Sequence, residues 1–159
     1  MGSIDVCMVN FLERVVLIPR PRAEVFPFFA EARNLERITP QLVRFEVVNA
    51  GPIGMRAGAL IDYKLGLYGM RFRWRTQIEE WAPPEFFVDV QLKGPYRLWR
   101  HRHSFEEVSG GTLMRDLVQY EVGWGWAGAV AGRVFVRRSV EQIFEYRNQA
   151  IREIFAPGQ

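Results

Sequence analysis

The chain has 159 residues, 48% of them hydrophobic and 14% aromatic, with 12 Phe, 5 Trp and 5 Tyr. That length fits a single domain spanning 1–159, and that composition excludes a disordered chain. The net charge is +3, and acidic residues such as Glu13, Glu24, Glu79 and Glu80 are interspersed among the arginines. Nucleic-acid binders concentrate their positive charge, so no nucleic-acid partner is expected.

The one cysteine, Cys7, excludes an internal disulfide, and no Cys/His spacing of zinc-finger type occurs. No run approaches 18 uninterrupted apolar residues, and the start lacks a basic segment followed by a long apolar core. A soluble, cytoplasmic protein is the expectation.

In chain order, "FLERVVLI" (11–18) reads as a strand, stopped by Pro19 and Pro21. "RAEVFPFFAEA" (22–32) carries Val25, Phe28, Phe29 and Ala32 at helical spacing, with Pro27 inside. A second short helix, "RNLERIT" (33–39), is stopped by Pro40. Six strands then follow at hairpin spacing: "LVRFEVVN", "GALIDYKLGLY", "MRFRWRTQIEEW", "EFFVDVQLK", "YRLWRHRHSFEEV" and "TLMRDLVQYEVG". The Gly- and Pro-containing segments between them supply the turns.

From residue 126 about 30 residues run without proline, and Val136, Val140, Ile143, Phe144, Arg147, Ile151 and Ile154 keep one stripe of a long helix. The pattern predicts an α+β fold: a seven-stranded antiparallel curved sheet wrapped around a long C-terminal helix, with two short helices after the first strand. A curved sheet gripping one helix tends to leave a hollow between them.

Alternation assigns the faces. Trp99, His101, His103 and Phe105 share one face of their strand, opposite Arg100, Arg102 and Ser104. Phe72, Trp74, Thr76 and Ile78 oppose the outward row of Arg71, Arg73 and Arg75. Tyr63 points inward, and placing Met114 and Tyr120 inward takes Asp116 with them. For "EFFVDVQL" two assignments stay open: Phe87, Asp89 and Gln91 inside, or Phe86, Val88, Val90 and Leu92, with a bulged strand that mixes both.

The element order, with "IPRPRAEVFPFFAEARNLERITP", "RWRTQIEEWAPPEFFVDVQLKGPYRLWRHRHSFEEVSGGTLMRD" and "FVRRSVEQIFEYR", resembles the START-like helix-grip superfamily, SRPBCC, over nearly the full chain. The similarity is greatest to small bacterial ligand-binding members of polyketide cyclase-like or coenzyme-Q-binding-like type. The resemblance implies a cavity between the sheet and the last helix that receives a lipid, polyketide or isoprenoid-like molecule. One such fold serves many functions.

The expected ligand-binding residues are Phe28, Tyr63, Phe72, Trp74, Trp99, His101, His103, Asp116, Tyr120, Phe135 and Phe144, with Phe29 and Phe45 as further lining. Of these, His101, His103 and Asp116 are the candidates for acid-base work, since a buried carboxylate needs partners and a neighbouring imidazole supplies one. The first expectation is a carrier of an apolar molecule. The alternative is a cyclase, aromatase or dehydratase that uses the same His-Asp group.

Two same-face histidines with a carboxylate form a metal set only if a neighbouring strand adds the third ligand; no metal or cofactor is expected. No Gly-x-Ser-x-Gly elbow and no phosphate-loop lysine occur. "GWGWAG", with Trp124 and Trp126, reads as a gate over the cavity or as helix-start packing. "RVFVRR" (133–138) and the arginine face suggest a transient membrane or partner-enzyme contact, on a monomer or homodimer.

Overall fold

The structure, a computed structural model, describes residues 9–67, 69–122 and 130–156; Cys7, Tyr68 and the "GWGWAG" segment lie outside them. Strand β1 (Asn10–Ile18) ends at Pro19, and α1 (Arg22–Phe29) follows, turning Val25, Phe26 and Phe29 inward. Two 3₁₀ helices, Ala32–Ile38 and Gln41–Val43, lead to a short β2 (Glu46–Val47). The antiparallel meander comprises β3 (Leu60–Leu67), β4 (Met70–Ala82), β5 (Phe86–Lys93), β6 (Tyr96–Val108) and β7 (Gly111–Val122). Helix α2 (Val130–Ile154) closes the fold.

The seven strands form one sheet in the order β1-β7-β6-β5-β4-β3-β2, so β1 returns to pair along β7. Helix α2 presents Val136, Val140, Phe144 and Ile151 to the core as one buried stripe. Among the described residues no helix is long and apolar enough to cross a membrane.

Three expected elements differ; the first helix, expected over 22–32, ends at Phe29. The second short helix is 3₁₀ and starts one residue earlier, because the Glu31 carboxylate accepts the Arg33 N–H at 3.1 Å and caps it there. The strand expected from residue 42 shrinks to Glu46–Val47. Gln41–Val43 turn instead, Arg44 takes a left-handed φ of 46°, and Leu42 is 93% exposed. Side chains then take over from the ladder: Glu36 accepts the Val47 N–H at 2.9 Å, and Asn49 Oδ1 accepts the Asp62 N–H at 2.7 Å.

The β6–β7 turn sets the register that the site depends on. Gly111 has φ 143°, and a Cβ there would meet the Ile18 carbonyl oxygen at 2.0 Å. A backbone oxygen cannot move aside cheaply. Gly111→Ala is therefore expected to lower stability by about 1–3 kcal/mol, read as a fall in the urea midpoint at unchanged slope.

Candidate functional site

A cavity of about 150 Å³ lies between the inner face of the sheet and α2. Its apolar wall includes Ile61 and Leu65 of β3, Trp74 and Ile78 of β4, Phe87 of β5, Trp99 of β6, and Val140, Ile143 and Phe144 of α2. Phe29, Leu35, Phe45 and Met55 belong to it as well. This volume is smaller than the few hundred Å³ typical of small-molecule sites and matches a void that holds one benzene-sized ring.

Two polar spots interrupt the wall. At the first, Thr76 Oγ1 accepts the Trp74 indole N–H at 3.1 Å and shares a 2.9 Å hydrogen bond with the Tyr63 hydroxyl. Burial, and then the nearby charge of Asp89, hold the Tyr63 phenol well above its ordinary range, so it stays a neutral donor and acceptor.

The second spot is built by sheet register. Asp89 of β5 stands opposite His101 of β6, and His103 of β6 stands opposite Asp116 of β7. The hydrogen bonds run along the diagonals: His101 Nε2 to Asp116 Oδ1 at 2.8 Å, and His103 Nε2 to Asp89 Oδ2 at 2.7 Å. His103 Nδ1 also lies 3.1 Å from Asp116 Oδ1. The two imidazoles sit close, with centroids 3.7 Å apart and planes tilted by 36°, and Phe87 stacks on His103 at 4.2 Å. From the α2 side, Arg147 Nε donates to Asp116 Oδ2 at 3.0 Å and Nη2 to Oδ1 at 3.3 Å.

The electrostatics separate the two histidines. Burial, and then the neighbouring His103, push His101 down to about 4, so it is neutral and donates from Nε2, leaving Nδ1 with its lone pair. Burial also opposes a charge on His103, but the hydrogen bonds and attraction of Asp116 and Asp89 outweigh it, and the net shift is upward. Burial would raise Asp116, yet Arg147 and the two histidines overcome that and hold it well below the usual carboxylate range. With His103 neutral, Nδ1 accepts from Arg147 Nη2 at 3.3 Å; with it protonated on both nitrogens, Nδ1 donates to Asp116 Oδ1 instead. Two carboxylates then balance one guanidinium and one imidazolium.

The sign of the pH dependence follows. Between pH 6.5 and about 4 the unfolded chain protonates His101 while the folded chain does not, so stability falls as pH falls. The contribution of His103 is full below its unfolded value of 6.5 and is lost as pH rises through its raised folded value. In metal-free buffer, urea midpoints are expected to be highest near pH 6.5, and His101→Gln is expected to flatten the acid limb.

Tyr63, Trp74, Trp99, His101, His103 and Phe144 line the cavity, as do Phe29 and Phe45; the other expected residues stand elsewhere. Asp116, 2% exposed, sits behind the histidines and reaches the cavity through them and through Arg147. Tyr120 is buried behind Trp99, ring centroids 6.1 Å apart. Phe72 lies on the inner face but near the β3–β4 turn, half-buried and short of the wall. Phe28 packs edge-on against Phe29 and Phe155. Phe135 is 56% exposed, because it falls one residue, about 100° of helix, from the buried Val136.

The open assignment of β5 resolves as a mixture. Phe87 and Asp89 line the cavity, Val88 is fully buried, and Gln91 closes the β5–β6 turn by donating to the Tyr96 carbonyl at 2.6 Å. The pairing slips by a residue at two places along β4 and β5. Arg147 is the functional neighbour that the residue patterns assign only to the helix stripe. Its signal is a lone charge among apolar stripe positions, 5% exposed.

Solved structures share this architecture. The Zhui aromatase/cyclase from Streptomyces sp. R1128 superposes with a TM-score of 0.72 at 16% identity, covering 95% of this chain and 99% of that one. TTHA0849 from Thermus thermophilus gives 0.66 at 21% identity, covering 92% and 95%. Major latex-like protein 151 from Panax ginseng gives 0.62 at 8% identity, covering 94% and 99%. At such identities the likeness is one of fold. No curated protein matches the sequence. A family model for polyketide cyclase / dehydrase and lipid transport matches residues 18–145, most of the chain, and the protein belongs to that family, within the SRPBCC helix-grip superfamily.

Proposed function

We propose that the protein binds and carries an apolar small molecule, built around a single ring or a short acyl segment and bearing at least one polar oxygen. The observation that supports this most directly is a mainly apolar cavity of about 150 Å³ between sheet and helix, polar at two spots. The apolar body fits among Trp74, Trp99 and Phe144, and a hydroxyl or carbonyl reaches either Thr76 or the Asp89–His101 pair. A larger polyketide or isoprenoid requires the wall to open. Native mass spectrometry of the purified protein, with solvent extraction, tests the reading: a co-purifying apolar molecule, or saturable binding of single-ring phenols and short acyl probes, is expected. Absence of both overturns it.

One observation favours a second reading, a cyclase- or dehydratase-type enzyme. The neutral His101 keeps a bare Nδ1 beside the cavity, with Asp116 on its other nitrogen. That pairing orients an imidazole to accept a proton from a bound ligand. If His101→Ala and His103→Ala leave the turnover of every converted substrate unchanged, this reading fails.

A contact with a membrane or partner enzyme belongs with loading. Val134 and Phe135 are exposed on α2, and Arg71, Arg73 and Arg75 are exposed on β4. Reversing the charge of these three arginines in liposome and pull-down assays tests it.

A further inference from the structure

One ligand atom from each of Asp89, His101 and His103 lies within 4.8 Å of the other two, and all three residues line the cavity. His101 Nδ1 is 3.8 Å from Asp89 Oδ2, and His103 Nε2 is 2.7 Å from it. The opposite ring nitrogens, His101 Nε2 and His103 Nδ1, both turn to Asp116 Oδ1 at 2.8 and 3.1 Å. A metal-ligating imidazole almost always gives its second N–H to a carboxylate or carbonyl, which fixes the tautomer and leaves the other nitrogen free to coordinate. Here one carboxylate faces both rings, and Arg147 clamps that carboxylate in turn.

We propose that Asp89, His101 and His103 form a binding site for a divalent first-row transition metal ion at the cavity wall, with Asp116 and Arg147 as positioning residues. Two imidazoles and one carboxylate suit zinc, iron(II) or cobalt(II), not calcium or magnesium, which prefer oxygen donors. The three positions come from paired strands: two from one face of β6, and the third directly opposite His101 on β5. Metal–ligand bonds of about 2.0–2.2 Å place neighbouring ligand atoms roughly 3.0–3.5 Å apart. The Asp89–His103 approach therefore widens and the Asp89–His101 approach closes, each by less than about 1 Å on the same bond lengths. The ion takes the place of the present Asp89–His103 hydrogen bond.

Three protein ligands leave at least one coordination position, and it faces the cavity. With both imidazoles neutral, as ligands must be, the two carboxylates and Arg147 carry one net negative charge. A divalent ion turns that into one net positive charge in an enclosed place. An anionic oxygen completes the shell, either hydroxide or an ionised oxygen of a bound ligand. The site does not depend on the proposed carrier role, because its coordination shell can close with water-derived hydroxide alone.

The test uses the full chain stripped with chelator and titrated with zinc(II) and cobalt(II). One equivalent taken up at micromolar metal, with X-ray absorption showing two imidazoles on the ion, is the expected result. Asp89→Ala and His101→Ala are each expected to weaken binding by about 100-fold or more, and Asp116→Asn, measured below its own unfolding transition, by about 10–100-fold. No stoichiometric uptake by the wild-type chain, or uptake without imidazole ligation, overturns the proposal, and neither result depends on a variant folding. Uptake that Asp89→Ala leaves intact overturns it as well. Apolar-probe binding by the metal-free protein, measured in parallel, reports on the carrier role separately.

Discussion

Asp116→Ala is expected to destabilise the fold by about 3–5 kcal/mol. Asp116 is 2% exposed and accepts from His101, from His103 and twice from Arg147. Removing it leaves the Arg147 guanidinium, itself 5% exposed, without its carboxylate partner. Breaking one half of a buried pair costs more than the pair contributes, because the remaining charge keeps its desolvation penalty. A domain of this size has about 5–15 kcal/mol in total, so the variant sits near the limit of folding at physiological temperature. Arg147→Met leaves the carboxylate with its two histidine partners only, and a smaller loss is expected. The double variant Asp116→Leu with Arg147→Met removes both charges and fills the space with apolar atoms, and it is expected to regain much of either loss. Urea denaturation of the wild type, Asp116→Leu, Arg147→Met and the double variant closes the cycle and gives the coupling directly. A loss under about 1 kcal/mol for Asp116→Ala, or single losses that simply add in the double variant, would show that the pair does not act as a unit.

How much of this was legible without coordinates depends on how local each determinant is. His101 and His103 share a face because a strand repeats every two residues, and the aromatic neighbours Trp99 and Phe105 mark that face as inner. The same rule places Asp116 beside Tyr120. Which residues stand opposite one another is a different matter. His103 meets Asp116 because the β6–β7 turn at Gly110 and Gly111 sets that register. Asp89 meets the histidines because the β5–β6 register sets it opposite His101, on a strand whose pairing with β4 slips on either side of it. Alternation along one strand contains neither fact.

Arg147 lies on the apolar stripe of α2, where a helix pattern alone reads it as a face position, yet its partner comes from a strand 31 residues earlier. The strand expected from residue 42 fails for a related reason. Its apolar residues carry no record that the Glu36 carboxylate takes the Val47 N–H. Phe135 marks the limit of counting aromatics: in a long helix one step of about 100° separates a lining residue from a surface one. Cavity volume is the least legible quantity, since it depends on how closely α2 approaches the sheet.

Val140→Phe is expected to weaken binding of a single-ring probe by at least about tenfold while changing stability by no more than about 1–3 kcal/mol. Val140 is 1% exposed and lines the cavity from α2. Extra side-chain atoms there enter existing space instead of displacing packed neighbours, so the usual cost of overpacking is reduced while ligand volume is lost. Phe144→Ala works in the opposite direction. Phe144 lies 6.4 Å from Trp99 and 5.2 Å from His101, centroid to centroid, so its removal joins the aromatic wall to the polar network. That variant is expected to lose about 3–5 kcal/mol of stability and to shift preference toward larger, multi-ring ligands. Fluorescence displacement with probes of increasing ring number separates the two effects. If Val140→Phe binds a single-ring probe as tightly as the wild-type chain does, the probe is not in this cavity. If the wild-type chain prefers a multi-ring probe at equilibrium, the wall opens on binding, and ligand size is set by the displacement of α2 from the sheet.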